Sequence, residues 1–108
     1  MIYNMSGIPR TGASVSAATN GAVVCSLDTL VSTYITNATA DIALSLAAGV
    51  PGQQKIIILE TKDTNDVVIT PVAMQNGTTV TLDATGDSVH FVYSDNEWCV
   101  VYTNGSIA

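Results

Sequence analysis

The sequence predicts an all-β fold, and three features of the chain support this prediction. Short segments in which apolar and polar residues alternate recur about every 8–12 residues. Gly, Pro, Asn and Asp separate these segments, as expected of turns. No stretch shows the 3.6-residue periodicity of an amphipathic helix. About eight short strands arranged as a small antiparallel sandwich, barrel or jelly roll are therefore expected.

The first 20 residues differ from the rest and predict an extended N-terminal arm. They contain Gly7, Pro9 and Gly12 among Ser, Thr and Ala residues, which offer little apolar surface to bury. We therefore divide the chain into an arm, residues 1–20, and a β-domain, residues 21–108. A chain of 108 residues is long enough for one such domain and too short for two.

Each predicted strand follows from alternation or from a run of β-branched residues. Residues 42–46 place Ile42, Leu44 and Leu46 on one side, whereas residues 56–59 are apolar on both sides. A strand of the second kind is expected in the middle of a sandwich or at a subunit contact. Asp95-Asn96 predicts a two-residue hairpin turn. The predicted strands are residues 23–27, 31–36, 42–46, 56–59, 67–70, 79–82, 88–93 and 97–102.

The composition argues against binding to nucleic acids and to membranes. The chain contains three cationic residues and nine carboxylates, which gives a formal net charge of −6. Phosphate binding needs clustered Lys and Arg, and so does an anionic membrane surface. No apolar run approaches the roughly 20 residues needed to span a bilayer. The N-terminus lacks the basic and apolar regions of a secretory signal, so the chain is expected to stay in a cytosol or to leave it by another route.

No set of residues in the sequence predicts a catalytic or metal site. His90 is the single histidine and falls on the strand side opposite Val89 and Phe91, so it is interpreted as a surface or interface residue rather than a general base. The aspartates in and beside turns are expected to cap the backbone, with calcium binding as the alternative. No cofactor is predicted.

Three side chains leave alternatives open. Trp98 is interpreted as a core residue that shares a face with Val100 and Tyr102, with a sugar-stacking platform as the alternative. Cys25 and Cys99 are expected to be small buried apolar residues, with a disulfide between the first and last strands as the alternative.

The last 60 residues or so resemble β-modules in structural proteins of tailed bacteriophages, among them capsid decoration (cement) proteins and head or tail fibres. The resemblance lies in the order of turns and apolar strands rather than in a single motif. It runs through Gly52-Gln53-Gln54-Lys55, Val68-Ile69-Thr70-Pro71, residues 76–82, residues 86–93 and residues 97–101.

The resemblance implies a homotrimeric, non-enzymatic protein on the surface of a virion, assembled in the host cytoplasm. Its expected partners are further copies of itself and the major capsid protein, which it would bind to stabilise the shell. A tail or fibre component in host attachment and a carbohydrate-binding module are the alternatives. The predicted capsid-contact or subunit-contact residues are Ile2, Tyr3, Met5, Ile8 and Arg10 in the arm and Tyr34 in the domain.

Overall fold

The structure, a computed structural model, describes residues 13–14 and 21–108. It confirms the all-β fold, with two five-stranded sheets packed face to face and no helix among the described residues. The first sheet has the order β1 (Ala13–Ser14), β3 (Val31–Ile35), β5 (Gln54–Thr61), β8 (Ser88–Ser94) and β9 (Glu97–Thr103). The second has the order β10 (Ser106–Ile107), β7 (Val80–Leu82), β6 (Val67–Pro71), β4 (Ile42–Leu46) and β2 (Gly21–Val24).

From β1 to β6 the chain alternates between the two sheets and winds as stacked coils. β1, β3 and β5 are therefore neighbours in one sheet and run parallel, while β2, β4 and β6 do the same in the other. Gly21 lies beside Ile42, and Ile42 lies beside Val67. Parallel strands need a long crossover connection, and here the intervening strand of the opposite sheet provides it.

The C-terminal half closes these coils with antiparallel strands. β7 and β10 extend the second sheet, and β8 and β9 extend the first. The β8–β9 turn has the positive φ angles of 56° at Asp95 and 66° at Asn96, as a type I′ hairpin requires. The antiparallel pairing expected from the sequence thus describes this half, whereas the first half is parallel.

The core lies between the sheets and is built from the predicted alternating residues. Ile42, Leu44 and Leu46 of β4 are each 1% exposed, and Val89 and Phe91 of β8 are fully buried. Two residues of the predicted arm, Ala13–Ser14, form β1 beside β3. The rest of that arm lies outside the described residues.

Candidate functional site

A buried lysine forms the most polar cluster of the core. Lys55 is completely inaccessible, and its Nζ donates to the Thr29 carbonyl at 2.9 Å, the Thr29 hydroxyl at 3.2 Å and the Ser32 hydroxyl at 2.7 Å. All three ammonium donors are therefore satisfied, as burial of a charged group requires. Sequence reasoning missed this residue, although Lys55 has the same inward parity along β5 as Ile57 and Leu59.

Tyr34 lies beside this cluster and is not the exposed contact residue predicted from the sequence. Its side chain is 1% exposed because inward positions alternate along β3, and Tyr34 shares that parity with the buried Ser32. Burial, reinforced by Cys25, raises the pKa of the Tyr34 phenol. Burial lowers the pKa of the Lys55 ammonium, while Cys25 and Asp28 act in the opposite direction.

The Ser32–Lys55 pair has the hydrogen bond of a nucleophile and its base, but its position favours a structural role. Both residues are 0% exposed, so a substrate would have to enter the core to reach the hydroxyl. A nucleophile must instead lie within reach of a bound substrate. Lys55 ties β5 to the connection between β2 and β3, since Thr29 belongs to that connection.

The stability that Lys55 contributes should increase with pH. Its folded pKa lies below the unfolded value of about 10.4, so this contribution is lost as the pH falls through the folded pKa. We expect the free energy of unfolding of the wild type, relative to Lys55→Met, to rise between pH 7 and 10. Urea titrations of both proteins at several pH values measure this difference. A difference that does not change with pH would contradict the prediction.

The outer side of the first sheet is unusually apolar. We call it the apolar face and define it by six of the outward side chains of β3, β5, β8 and β9. Its central row crosses all four strands in register, and the second sheet packs against the opposite side. The face consists of Val31, Ile56, Ile58, His90, Val92 and Tyr102, all half-buried or exposed.

The outer side of the second sheet is also uncharged but carries smaller side chains. Ala22, Ala43 and Val68 form one row across it, and Val24, Ser45 and Thr70 form the next. Val24 is 76% exposed, whereas most of its neighbours are alanine, serine or threonine. The two faces therefore differ in the size of their apolar side chains.

The carboxylates of the described chain lie at the ends of the sandwich. The connections 36–41, 62–66 and 83–87 meet at one end, where Asp63 N donates to Thr36 Oγ1 and Lys62 N donates to Thr85 Oγ1. We call this the acidic end. It carries Asp41, Glu60, Asp63, Asp66, Asp83 and Asp87, while Asp28, Asp95 and Glu97 lie towards the other end. Charge is thus concentrated away from both broad faces.

Turn aspartates at the acidic end cap the backbone. Asp87 Oδ2 accepts from the backbone nitrogens of Asp83 and Ala84, both at 3.1 Å, and Asp41 Oδ1 accepts from Asp66 N at 2.8 Å. These bonds match the role expected of Asx side chains in turns. Within residues 21–108 and β1, no group of three or more His, Cys, Asp or Glu side chains is arranged to hold a metal ion.

The aromatic residues predicted for the last strand separate at a β-bulge. Trp98 is fully buried, so the sugar-stacking alternative loses an accessible platform. Tyr102, predicted on the same face as Trp98, is instead 58% exposed. The register between β8 and β9 shifts between His90 and Phe91, which turns Tyr102 outward beside His90. His90 faces outward as predicted, and its Nε2 donates to Gln54 Oε1 at 2.8 Å.

The remaining sequence predictions have different outcomes. Cys25 is buried and Cys99 half-buried, and both are free thiols, so the alternative disulfide is absent between them. Ile2, Tyr3, Met5, Ile8 and Arg10 lie outside the described residues, and their predicted contacts stay predictions. No helix in the described part of the chain is long and apolar enough to cross a membrane.

Comparisons with known proteins identify no relative, so the functional proposal rests on the fold and the surface of the chain. No protein-family model, no curated protein and no solved structure matches this chain.

Proposed function

We propose that this chain is a non-enzymatic structural protein of a virus particle, a capsid decoration protein that binds the shell as an oligomer. The observation that carries the proposal is the distribution of charge over the sandwich. The central rows of both broad faces are uncharged, one of these faces is apolar, and the described carboxylates lie in the connections or near the ends of strands. Surfaces of this kind favour packing against neighbouring subunits, because no charge has to leave water when they meet.

The arrangement of reactive side chains favours a non-enzymatic role. The hydrogen-bonded Ser32–Lys55 pair is inaccessible, and His90 is bonded to an amide rather than to a carboxylate or a nucleophile. A decoration protein acts by adding contact area between capsomers, so it needs surfaces and stability instead of a reactive centre. The resemblance of the last 60 residues or so to virion β-modules supports the major capsid protein as the partner and the capsid surface as the location.

A tail or fibre component is the second candidate, and the coil architecture favours it. Stacked parallel coils bury a continuous core between successive turns, as in solenoid proteins built for length. Here the antiparallel strands β7 to β10 end the stack. A stack of two and a half coils with such an end suits a compact knob better than a shaft.

We expect the isolated protein to be an oligomer, and the resemblance implies three copies. The physical reason is β5, whose Ile56 and Ile58 remain half-buried on the apolar face while Ile57 and Leu59 fill the core. Sedimentation equilibrium at micromolar concentration measures the mass. A single 11.2 kDa species would contradict the prediction.

Shells stripped of the protein provide the functional test. Added protein should rebind the stripped shells and raise the temperature at which they break open, because each bridging contact adds buried area. Shells incubated with buffer alone serve as the control. Protein that does not bind the stripped shells but binds host cells would support the fibre candidate and refute the decoration role.

A further inference from the structure

Asparagine is followed by glycine at three places in the chain, and each pair has the groups for the same spontaneous reaction. The main-chain nitrogen of the glycine can attack the side-chain amide carbon of the asparagine. Glycine favours this attack because it has no Cβ to hinder the approach and adopts a wide range of backbone angles. The attack requires that the nitrogen is not held in a hydrogen bond. The pairs are Asn20-Gly21, Asn76-Gly77 and Asn104-Gly105.

We propose that Asn76 is a site of spontaneous deamidation in the folded protein, and that its isoaspartate product loosens the C-terminal end of the chain from the second sheet. The fold protects the other two pairs. This modification is independent of the proposed function.

The reaction needs only water. A bond forms between Gly77 N and Asn76 Cγ, the bond from Cγ to Nδ2 breaks, and Nδ2 leaves as ammonia with the proton of Gly77 N. Water then opens the five-membered imide. Attack at Cγ gives aspartate, and attack at the main-chain carbonyl carbon of Asn76 gives isoaspartate. In sum, an amide and a water become a carboxylic acid and ammonia.

The Asn76-Gly77 pair is accessible and its reacting groups are not held. Both residues are exposed in the connection between β6 and β7. No described residue accepts a hydrogen bond from Gly77 N, and none bonds to the side chain of Asn76. The nitrogen and the amide carbon can therefore meet, and water can reach the imide.

The fold itself requires a glycine after Asn76. Gly77 has a φ angle of 148°, which side chains other than that of glycine rarely allow. A Cβ at this position would also lie 2.7 Å from the Ala108 carbonyl oxygen and 2.9 Å from Ile107 Cγ2. The close contact with the last residues of the chain thus keeps an unhindered nitrogen next to Asn76.

The pair Asn104-Gly105 is held at both reacting groups. Gly105 N donates to Thr103 Oγ1 at 3.0 Å, and Asn104 Oδ1 accepts from Ser88 N at 2.8 Å. Both hydrogen bonds must break before the nitrogen can reach the amide carbon.

The nitrogen of the first pair is also held. Gly21 N donates to the Asp41 carbonyl at 3.1 Å. Asn20 lies outside the described residues, so the protection of this pair rests on the glycine. Of the three glycine nitrogens, only that of Gly77 has no acceptor within the described chain.

The loop around Asn76 is anchored on both sides, so a change in its length has a consequence. Gln75 N donates to the Trp98 carbonyl at 3.0 Å, and Thr78 N donates to the Ala108 carbonyl at 2.7 Å. Isoaspartate directs the main chain through the former side-chain carbons and lengthens it by one methylene between these anchors. Aspartate adds the same charge but leaves the length of the main chain unchanged.

Incubation of the full-length protein in a mildly alkaline buffer, folded or in urea, tests the site. A protease that cleaves before aspartate but not before isoaspartate releases residues 66–82 with Asn76 and residues 95–108 with Asn104, and mass spectrometry follows both. In the folded protein we expect Asn76 to react at least about tenfold faster than Asn104, because two hydrogen bonds protect the latter.

The same incubation in urea is the control for the effect of the fold. Unfolding removes the hydrogen bonds that protect Asn104 and Asn20, so all three pairs should react at similar rates. Asn76→Gln should abolish the modification at this position, because the longer side chain does not form the five-membered ring. A folded protein in which Asn76 reacts no faster than Asn104, or does not react, would overturn the site.

Hydrogen exchange tests the consequence for the C-terminal end. Ala108 N donates to the Thr79 carbonyl at 3.0 Å. We expect its exchange to be roughly two- to tenfold faster in wild type that carries isoaspartate at position 76, as for the loss of one hydrogen bond. Asn76→Asp is the matched control with the same charge and should exchange like fresh wild type. Unchanged exchange in the isoaspartate form, or equally fast exchange in Asn76→Asp, would overturn the role of the lengthened main chain.

Discussion

Trp98→Ala is expected to lower the free energy of unfolding by about 3–5 kcal/mol. The indole is fully buried and packs edge-on against Tyr93 at 5.0 Å and Phe91 at 6.1 Å between ring centroids. Its Nε1 also donates to the Ala47 carbonyl at 2.8 Å, which would lose its partner. Because small domains have about 5–15 kcal/mol of total stability, this loss would be a large share of it.

Urea unfolding of the variant and the wild type measures this effect, with Tyr102→Ala as the control. Tyr102 lies on the same strand but faces solvent, so its truncation should change the stability of the monomer by about 0.5 kcal/mol or less. Titrations are made at a concentration low enough to keep each protein monomeric. A Trp98→Ala protein that melts like its parent and loses only affinity for a sugar would instead support the carbohydrate-binding alternative.

Gly105→Ala is expected to lower the free energy of unfolding by about 1–3 kcal/mol through overpacking. Gly105 joins β9 of the first sheet to β10 of the second, where the chain passes close to β7. A Cβ at this position would lie against the Thr81 carbonyl oxygen and 3.0 Å from Leu82 Cδ2. The carbonyl belongs to the backbone of β7 and moves only if the pairing of Thr81 with Ser106 is disturbed.

Ser106→Ala is the control for this substitution. Ser106 is the next residue along the chain and is exposed, so the loss of its hydroxyl should change stability little. Urea midpoints of the two variants provide the comparison. Equal midpoints for Gly105→Ala and the wild type would show that the β9–β10 connection accommodates the added Cβ without loss of stability, and would contradict the prediction.

The local pattern of the chain was sufficient to predict most strands and their inward faces. Period-2 alternation placed Leu44 and Phe91 in the core because successive side chains on a strand point to opposite sides. Asp95-Asn96 identified its hairpin because few residues other than Asn, Asp and Gly tolerate the positive φ angles of a type I′ turn. His90 was assigned outward by the same parity.

Sequence reasoning was less successful where a side chain depends on residues far away in the chain. Lys55 is buried because Thr29 and Ser32 supply its hydrogen bonds across the β3–β5 pairing, a match that no local pattern reveals. Tyr34 lay in the predicted strand 31–36, but its burial depended on which side of β3 faces the second sheet. Tyr102 left the predicted face because of a bulge, which inserts a residue without changing the apolar pattern.

The all-β class, the positions of the turns and the inward residues of most strands follow from the sequence alone, since they depend on neighbours within a few positions. The parallel direction of β1 to β6 within their sheets is a property of the tertiary fold, because pairing direction depends on which strands meet and not on their alternation. The tertiary fold also decides the surface chemistry. Winding the chain between two sheets gathers six carboxylates at one end and aligns Ile56, His90 and Tyr102 on one face, although these residues lie far apart in the sequence.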